Sequence, residues 1–418
     1  MKEMISLEEA QELALAHVAP MPTERVATLD AIGRVSAEDL ASDIDVSPFA
    51  HSAMDGFALH AADIEGATED APVELDVIAE EAAGDFFEGS IAAGQCVRIM
   101  TGAPLPADAD AVVKYEIVGV VSGDGKTGSR VSFAAPTKVG SNVRPAGEEA
   151  SAGEVVVHAG EVITSAGVGF LASCGVTEVA TYRRPRIAII ATGSELVDPT
   201  ETPVRGQIRN SNSYAMAACA LAAGAIPTVL PLVKDTFEAL ASTIDEATNT
   251  YDFVVTTGGA ANGAYDFIKK VVDDRGELLM TTVNMRPGKA QTFGIVNGTP
   301  VFGLPGNPAA AYLGFEMIIR RALRKMQGYS NFERMHVQAK LAVDTKKKDP
   351  RRIFMRATLT RDEAGAYVVT PATNQSSGLF GPIQRSNCFA IMPEGNVSRN
   401  AGDMVECILL DVSEELVL

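Results

Sequence analysis

Apolar and polar positions change their spacing several times along this chain, and each change marks an element or a boundary. Ser6-Leu7-Glu8-Glu9 sets a glutamate three residues after a serine, the pattern in which the two side chains cap a helix start reciprocally. Leu7, Ala10, Leu13, Ala14 and Val18 follow at helical spacing, which predicts a helix over about 7–18. Residues 45–145 have another texture. The short runs VELDVIAE, GQCVRIM and AVVKYEIVGVV lie between glycine, proline and aspartate turns, which predicts an all-β insertion. A glycine-punctuated stretch over 146–180 holds one helix candidate.

At Arg186 the pattern shifts again. RIAIIAT (186–192) is a near-continuous apolar run ending at Gly193. FVVTTGG (253–259) and PVFGLPG (300–306) repeat that form, with a further strand, TVLPLV, over 228–233. Helix candidates over 212–223, 236–248 and 308–326 fall between and after these strands. Such alternation predicts a doubly wound, mostly parallel sheet covered on both faces. From 331 onward HVQAKLAV, FMRATL, AYVVT and MVECILL return to β. The fold class is therefore multidomain α/β plus β, and 418 residues accommodate three or four units at about 100–200 residues each. No internal repeat is visible.

Composition narrows the function. The chain is 46% hydrophobic and 21% charged, as globular proteins are. Its formal charge of −19 repels nucleic acid and anionic membranes, so an anionic substrate requires a local basic patch. The five cysteines stand far apart without metal-ligand spacing, and no window is long and apolar enough for a membrane span. The expectation is a cytoplasmic protein with free thiols. No Walker A, G-x-S-x-G or H-E-x-x-H motif is present.

In sheets of this type ligands bind at the carboxyl ends of strands. Three strands end in polar glycine loops: Thr192-Gly193-Ser194-Glu195, Thr256-Thr257-Gly258-Gly259 and Leu304-Pro305-Gly306-Asn307-Pro308. Each reads as an ordinary turn or as an anion cradle, and Pro308 opening a helix leaves N–H groups free for an anion. Arg286 and Lys289 sit three residues apart in a Pro-Gly turn, and Arg351, Arg352 and Arg356 cluster farther on. The adjacent Lys346-Lys347-Lys348 reads as a solvated hairpin tip. Among the acids, Asp55 precedes a glycine, Glu148 and Glu149 follow Gly147, Asp235 precedes a helix as ligand or N-cap, and Asp266 follows the TTGG loop. Several acids near a phosphate site suit Mg2+.

Together the segments SAMDGFA (52–58), RIMTGAPLPADADAVV (98–113), RPAGEEASAGE (144–154), IIATGSELV (189–197), GQIRNSNSY (206–214), RPGK (286–289) and FGLPGNPAAA (302–311) resemble the molybdopterin molybdenumtransferase family, MoeA and the C-terminal domain of gephyrin. The resemblance spans nearly the whole chain. It implies a discontinuous domain of residues 1–44 and 146–177, a β-rich insertion over 45–145, a molybdopterin adenylyltransferase-like α/β domain over 178–328 and a C-terminal β-barrel over 329–418. It implies a homodimer that takes adenylylated molybdopterin and molybdate with a divalent cation, releases AMP and yields molybdenum cofactor. Partners on that view are a molybdopterin adenylyltransferase and apo-molybdoenzymes.

Carried over by position, Asp55, Thr101, Glu149, Glu195, Asp235 and Asp266 match the family's polar cleft positions. Pro305 and Pro308 match its proline-rich loop and Lys289 its PGK lysine. Arg351 or Arg356 matches a C-terminal arginine, and Ser377 approximates a serine there. The resemblance makes Asp55, Thr101, Glu149, Glu195, Asp266 and Lys289 catalytic. It gives Mg2+ to Glu195, Asp235 and Asp266, and the substrate to the three loops with Arg286. The departures are Ala260 and Ala264, where the family has a serine and an acid, and Arg286, where it has lysine. They open the alternative of a paralogue or scaffold that binds without turnover; a transferase that uses tungstate is a third, because tungstate and molybdate have the same charge and nearly the same size.

Overall fold

A computed structural model describes residues 2–258 and 267–410. Packing divides the chain into two units, Met1–Glu24 with Tyr182–Leu418, and Arg25–Thr181. Helix α1 (Leu7–Ala16) starts where its cap dictates. Ser6 Oγ accepts from the Glu9 amide at 3.1 Å, and Glu9 Oε2 accepts from the Ser6 amide at 2.8 Å. Its buried residues Leu7, Ala10 and Ala14 join Ile5 and Val18 in the α/β core.

The unit Arg25–Thr181 is built on six strands: β1 (Gly56–Leu59), β2 (Val73–Glu81), β3 (Gln95–Ile99), β4 (Ala111–Lys114), β5 (Val118–Ser122) and β6 (Arg130–Phe133). Their order is β4-β1-β3-β2-β6-β5. The run AVVKYEIVGVV, which reads as one strand, is two strands separated by a 3-10 turn at Tyr115–Ile117. Those two strands lie at opposite edges of the sheet. A flat sheet of this size sets its edges roughly 24 Å apart, and four residue steps span at most roughly 14 Å. The sheet therefore curls almost closed, around Phe57, Leu75, Val77, Cys96, Val131 and Phe133. Helix α2 (Ser165–Ser173) follows, capped by Thr164.

The second part of the larger unit holds β7 (Arg186–Ala191), α3 (Asn212–Ala222), β8 (Ile226–Val229), α4 (Phe237–Thr248), β9 (Phe253–Thr257), α5 (Phe267–Arg275), β10 (Gly276–Thr282), β11 (Met285–Arg286), β12 (Ala290–Val296), β13 (Thr299–Leu304), α6 (Pro308–Gly314) and α7 (Arg320–Met326). A π-helical turn, Phe315–Ile319, joins α6 to α7. The sheet order is β8-β7-β9-β13-β12-β10, with the first four strands parallel and the last two antiparallel. Alternate residues serve alternate faces, as a strand's period of two requires. Ile187, Ile189, Phe253, Val255 and Phe302 pack with α1, α3, α6 and α7. Ala188, Ile190, Val254 and Val301 pack with Leu240, Ala241 and Ile244 of α4 and Ile268, Val271 and Val272 of α5. The expected strand over 228–233 is shorter and earlier, Ile226–Val229, and it tolerates Pro227 because it is an edge strand whose odd positions owe no ladder N–H.

Beyond residue 331 the chain forms a closed five-stranded barrel of β14 (His336–Leu341), β15 (Arg352–Arg361), β16 (Tyr367–Pro371), β17 (Cys388–Met392) and β18 (Met404–Leu409). Pairing of β15 with β17 closes it. Strand β17, all five of whose residues are buried, is the barrel strand that the apolar runs named above do not include. The short β11 pairs with β15 at Met285↔Arg352 and Arg286↔Ile353, so the Pro-Gly turn of the α/β region is stitched to the barrel. All five cysteines are free and buried. Among the described residues no helix is long and apolar enough to cross a membrane.

Candidate functional site

Strand register brings the three glycine loops together. Ala191 pairs with Thr257, and Thr257 with Leu304, so 192–195, Gly258 and 305–308 leave the sheet side by side. Thr192 N donates to Thr257 O at 3.0 Å, and Asn212 Nδ2 donates to Gly306 O at 2.9 Å. The hydroxyls of Thr192 and Thr256 are buried and have no hydrogen-bond partner among the described residues. Gly193, at φ +153°, lets the Glu195 carboxylate fold back over it, to within 2.7 Å of where a Cβ would stand. Ser194 beside it is exposed. Gly259, Ala260, Ala264 and Asp266 lie outside the described residues.

Asp235 reaches the same rim. The segment before it runs along β7, with Val233 N donating to Ala191 O at 3.0 Å. The cap of α4 is Thr236, whose Oγ1 accepts from the Ala239 amide at 3.3 Å, so Asp235 is not used as the cap. Burial, and then the neighbouring Glu195 charge, push the Asp235 carboxyl above its ordinary range. Two carboxylates that repel across a glycine loop suit a cation shared with substrate phosphates. Among the described residues no group of three potential ligands gathers.

A second constellation shares the Pro305–Asn307 loop. A cavity of about 840 Å3 lies between that loop, the RPGK turn and the barrel. Arg286, Lys289, Lys346, Lys347, Lys348, Arg351 and Arg356 line it, and among the described residues no acid does. In a chain of charge −19 this is a concentrated positive field. The lysine run forms one wall of the cleft, with Lys346 and Lys348 exposed, as a solvated run would be, and only Lys347 buried. Lys347 is fastened to the barrel, its Nζ donating to Gly395 O at 2.6 Å and to Pro393 O. The amide expected to be free behind Pro308 is taken, since Ala309 N donates to Ser377 O at 2.8 Å. Gln291 holds the Pro-Gly turn from behind, donating to Gly288 O at 3.0 Å.

The two candidate arginines differ. Arg351 is committed to Asp349, donating from Nε at 2.9 Å and from Nη2 at 2.6 Å. Arg356 is 1% exposed, and its guanidinium makes one hydrogen bond, from Nη2 to Ser376 O at 3.0 Å. Its Nε has no partner, and burial pulls its pKa down. The guanidinium has no counter-charge among the described residues, which suits an anion, and Gln375, Ser376 and Ser377 form the wall beside it.

Asp55, Thr101 and Glu149 belong to the other unit. Asp55 Oδ1 accepts from Thr101 N and Oγ1, both at 2.8 Å, and these bonds hold its carboxyl below the usual range. Glu149 is exposed at a turn whose amide donates to Val46 O at 3.0 Å. Thr101→Val deletes the hydroxyl bond and keeps the amide bond, so Asp55 is expected to titrate higher, toward a free aspartate. The charged form is then lost sooner as pH falls. Carboxyl carbon NMR against pH reads this directly, and an unmoved titration would show that the hydroxyl contributes nothing.

Comparison with known proteins agrees with this architecture. Residues 5–175 match the family model described as MoeA N-terminal region (domain I and II), residues 188–325 the one described as "Probable molybdopterin binding domain", and residues 338–410 the MoeA C-terminal region (domain IV). The molybdopterin molybdenumtransferase of Staphylococcus aureus (strain MSSA476) is 33% identical over 418 residues, covering 99% of this chain and 98% of that protein. Its namesake in Staphylococcus epidermidis (strain ATCC 12228) is 32% identical over the same shares. The crystal structure of the molybdopterin biosynthesis MoeA protein from Pyrococcus horikoshii superposes with a TM-score of 0.83 at 30% identity, covering 97% of this chain and 99% of that one. With models matched along all three parts and full-length relatives above 30% identity, the chain belongs to the MoeA family of molybdopterin molybdenumtransferases.

Proposed function

We propose that this protein inserts molybdenum into molybdopterin, taking the adenylylated form and molybdate and releasing AMP. The observation that carries the reading is the basic cleft, lined by no acid among the described residues, with the Arg356 guanidinium at its wall. Molybdate is a tetrahedral dianion, and Lys289, Lys346, Lys348 and Arg356 supply the opposite charge. The strand-end rim shares the Pro305–Asn307 loop with that cleft, and it takes the phosphoanhydride. Cleaving that bond demands charge neutralisation and a positioned water more than covalent catalysis. Mg2+, when bound, neutralises the pyrophosphate. Glu195 and Asp235 would hold it, and the burial and then the Glu195 charge that raise Asp235 support this fit. Asp266 is carried as the third acid from the family resemblance. Asp55, steadied by Thr101, comes from the insertion of a second copy in a homodimer, and Glu149 completes the set. Five buried free thiols support a reducing, cytoplasmic setting.

The test is AMP release and cofactor formation by the purified protein with adenylylated molybdopterin, Mg2+ and molybdate. Molybdate-dependent release supports the transferase. Binding without release transfers the reading to a non-catalytic scaffold, and equal rates with tungstate remove the preference for molybdate. Asp266→Asn is expected to abolish turnover with an unchanged melting temperature, and normal turnover would remove Asp266 from the site. Sedimentation as a monomer would remove the second copy.

A further inference from the structure

Asp349 is an anion placed at the edge of an anion-binding cleft, and its geometry explains why. Its carboxylate is 13% exposed and accepts four hydrogen bonds. Oδ1 takes the Arg351 amide at 3.0 Å and Arg351 Nε at 2.9 Å. Oδ2 takes Arg351 Nη2 at 2.6 Å and Arg286 Nη1 at 3.0 Å. Arg351 Nη1 donates in turn to Met285 O at 3.3 Å. One guanidinium comes from the RPGK turn and the other from the start of β15. Beside this knot, the turn and the barrel strand are joined by the two-residue pairing of β11 with β15.

We propose that Asp349 is the positioning residue of the oxyanion cleft, clamping Arg286 and Arg351 together so that Lys289 on the turn and Arg356 on the barrel face the anion at a fixed separation. The inference rests on the proposed reading of the cleft as the molybdate site. It assigns different tasks to its cations. Arg286 and Arg351 are spent on Asp349, and Lys347 on two backbone carbonyls. Lys289, Lys346 and Lys348 make no side-chain hydrogen bond or ion pair among the described residues, and they remain for the ligand. It also gives Arg286 a task that a lysine performs less well, since a guanidinium reaches a shared carboxylate with a directed N–H. A clamped set of charges discriminates oxyanions by size, whereas a loose set of the same charges attracts any dianion.

The test compares Asp349→Asn and Asp349→Glu with the unaltered full chain. Molybdate and sulfate are titrated by calorimetry, and molybdate-dependent AMP release is followed for kcat and KM. Asp349→Asn removes a negative charge and frees two guanidiniums. Sulfate is expected to bind more tightly and the molybdate-over-sulfate preference to shrink at least about fivefold. The kcat falls about 10- to 100-fold, the cost of small misplacement of reacting groups, without a rise in KM. Asp349→Glu, which restores the charge, recovers part of both the preference and the kcat. An unchanged preference and kcat in Asp349→Asn overturn the inference while leaving the transferase reading in place. So does a parallel loss of affinity for both anions with a lowered melting temperature that Glu does not rescue, which is a merely structural role. An unaltered protein that releases no AMP overturns the transferase reading, and a preference still lost in Asp349→Asn then upholds the positioning role by itself.

Discussion

Arg356→Met is expected to give a protein that melts at a higher temperature and no longer gains stability from molybdate. The guanidinium is 1% exposed, holds one carbonyl, and has no carboxylate partner among the described residues. Burying an uncompensated charge costs several kcal/mol, and replacing buried charged groups by apolar ones of similar size often gains about 1–4 kcal/mol. Methionine fills the same space. The clamp around the position survives, because Gln375 bonds the backbone of residue 356, accepting from its N at 3.1 Å and donating to its O at 2.8 Å. The anion loses its buried partner, worth about 2–5 kcal/mol, a fall in affinity of about 30- to 5000-fold. In the unaltered protein, molybdate at 100 times its Kd adds about 2.7 kcal/mol of stability. Melting curves with and without molybdate measure both effects. A lower melting temperature with the molybdate shift retained would show that Arg356 is a structural residue.

This choice between two arginines illustrates what the sequence conveys and what it withholds. Phe354 and Arg356 share one face of β15 by the period of two, while Met355 and Ala357 fill the barrel interior. Phe354 packs into the α/β core, so the face toward the cleft was implicit in the pattern once the strand was placed. The helix cap at Ser6, the apolar parallel strands and the three glycine loops were legible because each depends on residues close in sequence. Asp349 was not, because its partner Arg286 lies 63 positions away and meets it only through the pairing of β11 with β15. The burial of Lys347 was hidden for the same reason, since the carbonyls that hold it, those of Pro393 and Gly395, lie 46 and 48 positions away. Asp235 stood beside Thr236, an equally good cap, and only the structure shows which of the two the helix uses. The curl of the insertion sheet was hidden because one apolar run serves both of its edges.

Gly258→Ala is expected to cause a large loss of stability, because two independent constraints meet there. Its φ is +91°, a conformation that costs an L-residue about 1–2 kcal/mol. A Cβ would also stand 2.3 Å from the carbonyl oxygen of Thr192. That oxygen cannot yield cheaply. Thr192 is bonded through its own N to Thr257 O at 3.0 Å, and the strand before it is paired on both sides, with β8 and β9. Overpacking against fixed backbone adds about 1–3 kcal/mol, for a total of about 2–5 kcal/mol. Gly306→Ala is the control in the neighbouring loop. Its φ is outside the left-handed region, and the nearest atom to its Cβ is Gly258 Cα at 3.7 Å, an ordinary contact. It is expected to cost less than about 1 kcal/mol, within the range of substitutions that meet no special feature. Urea unfolding of the two variants separates the cases, and equal midpoints would mean that the 192–195 loop moves freely. The Cβ displaces Thr192, and with it the rim that carries Glu195, so the protein that remains folded is expected to lose AMP release in Gly258→Ala. The two strand-end loops approach closely enough to share one ligand only because residue 258 has no side chain.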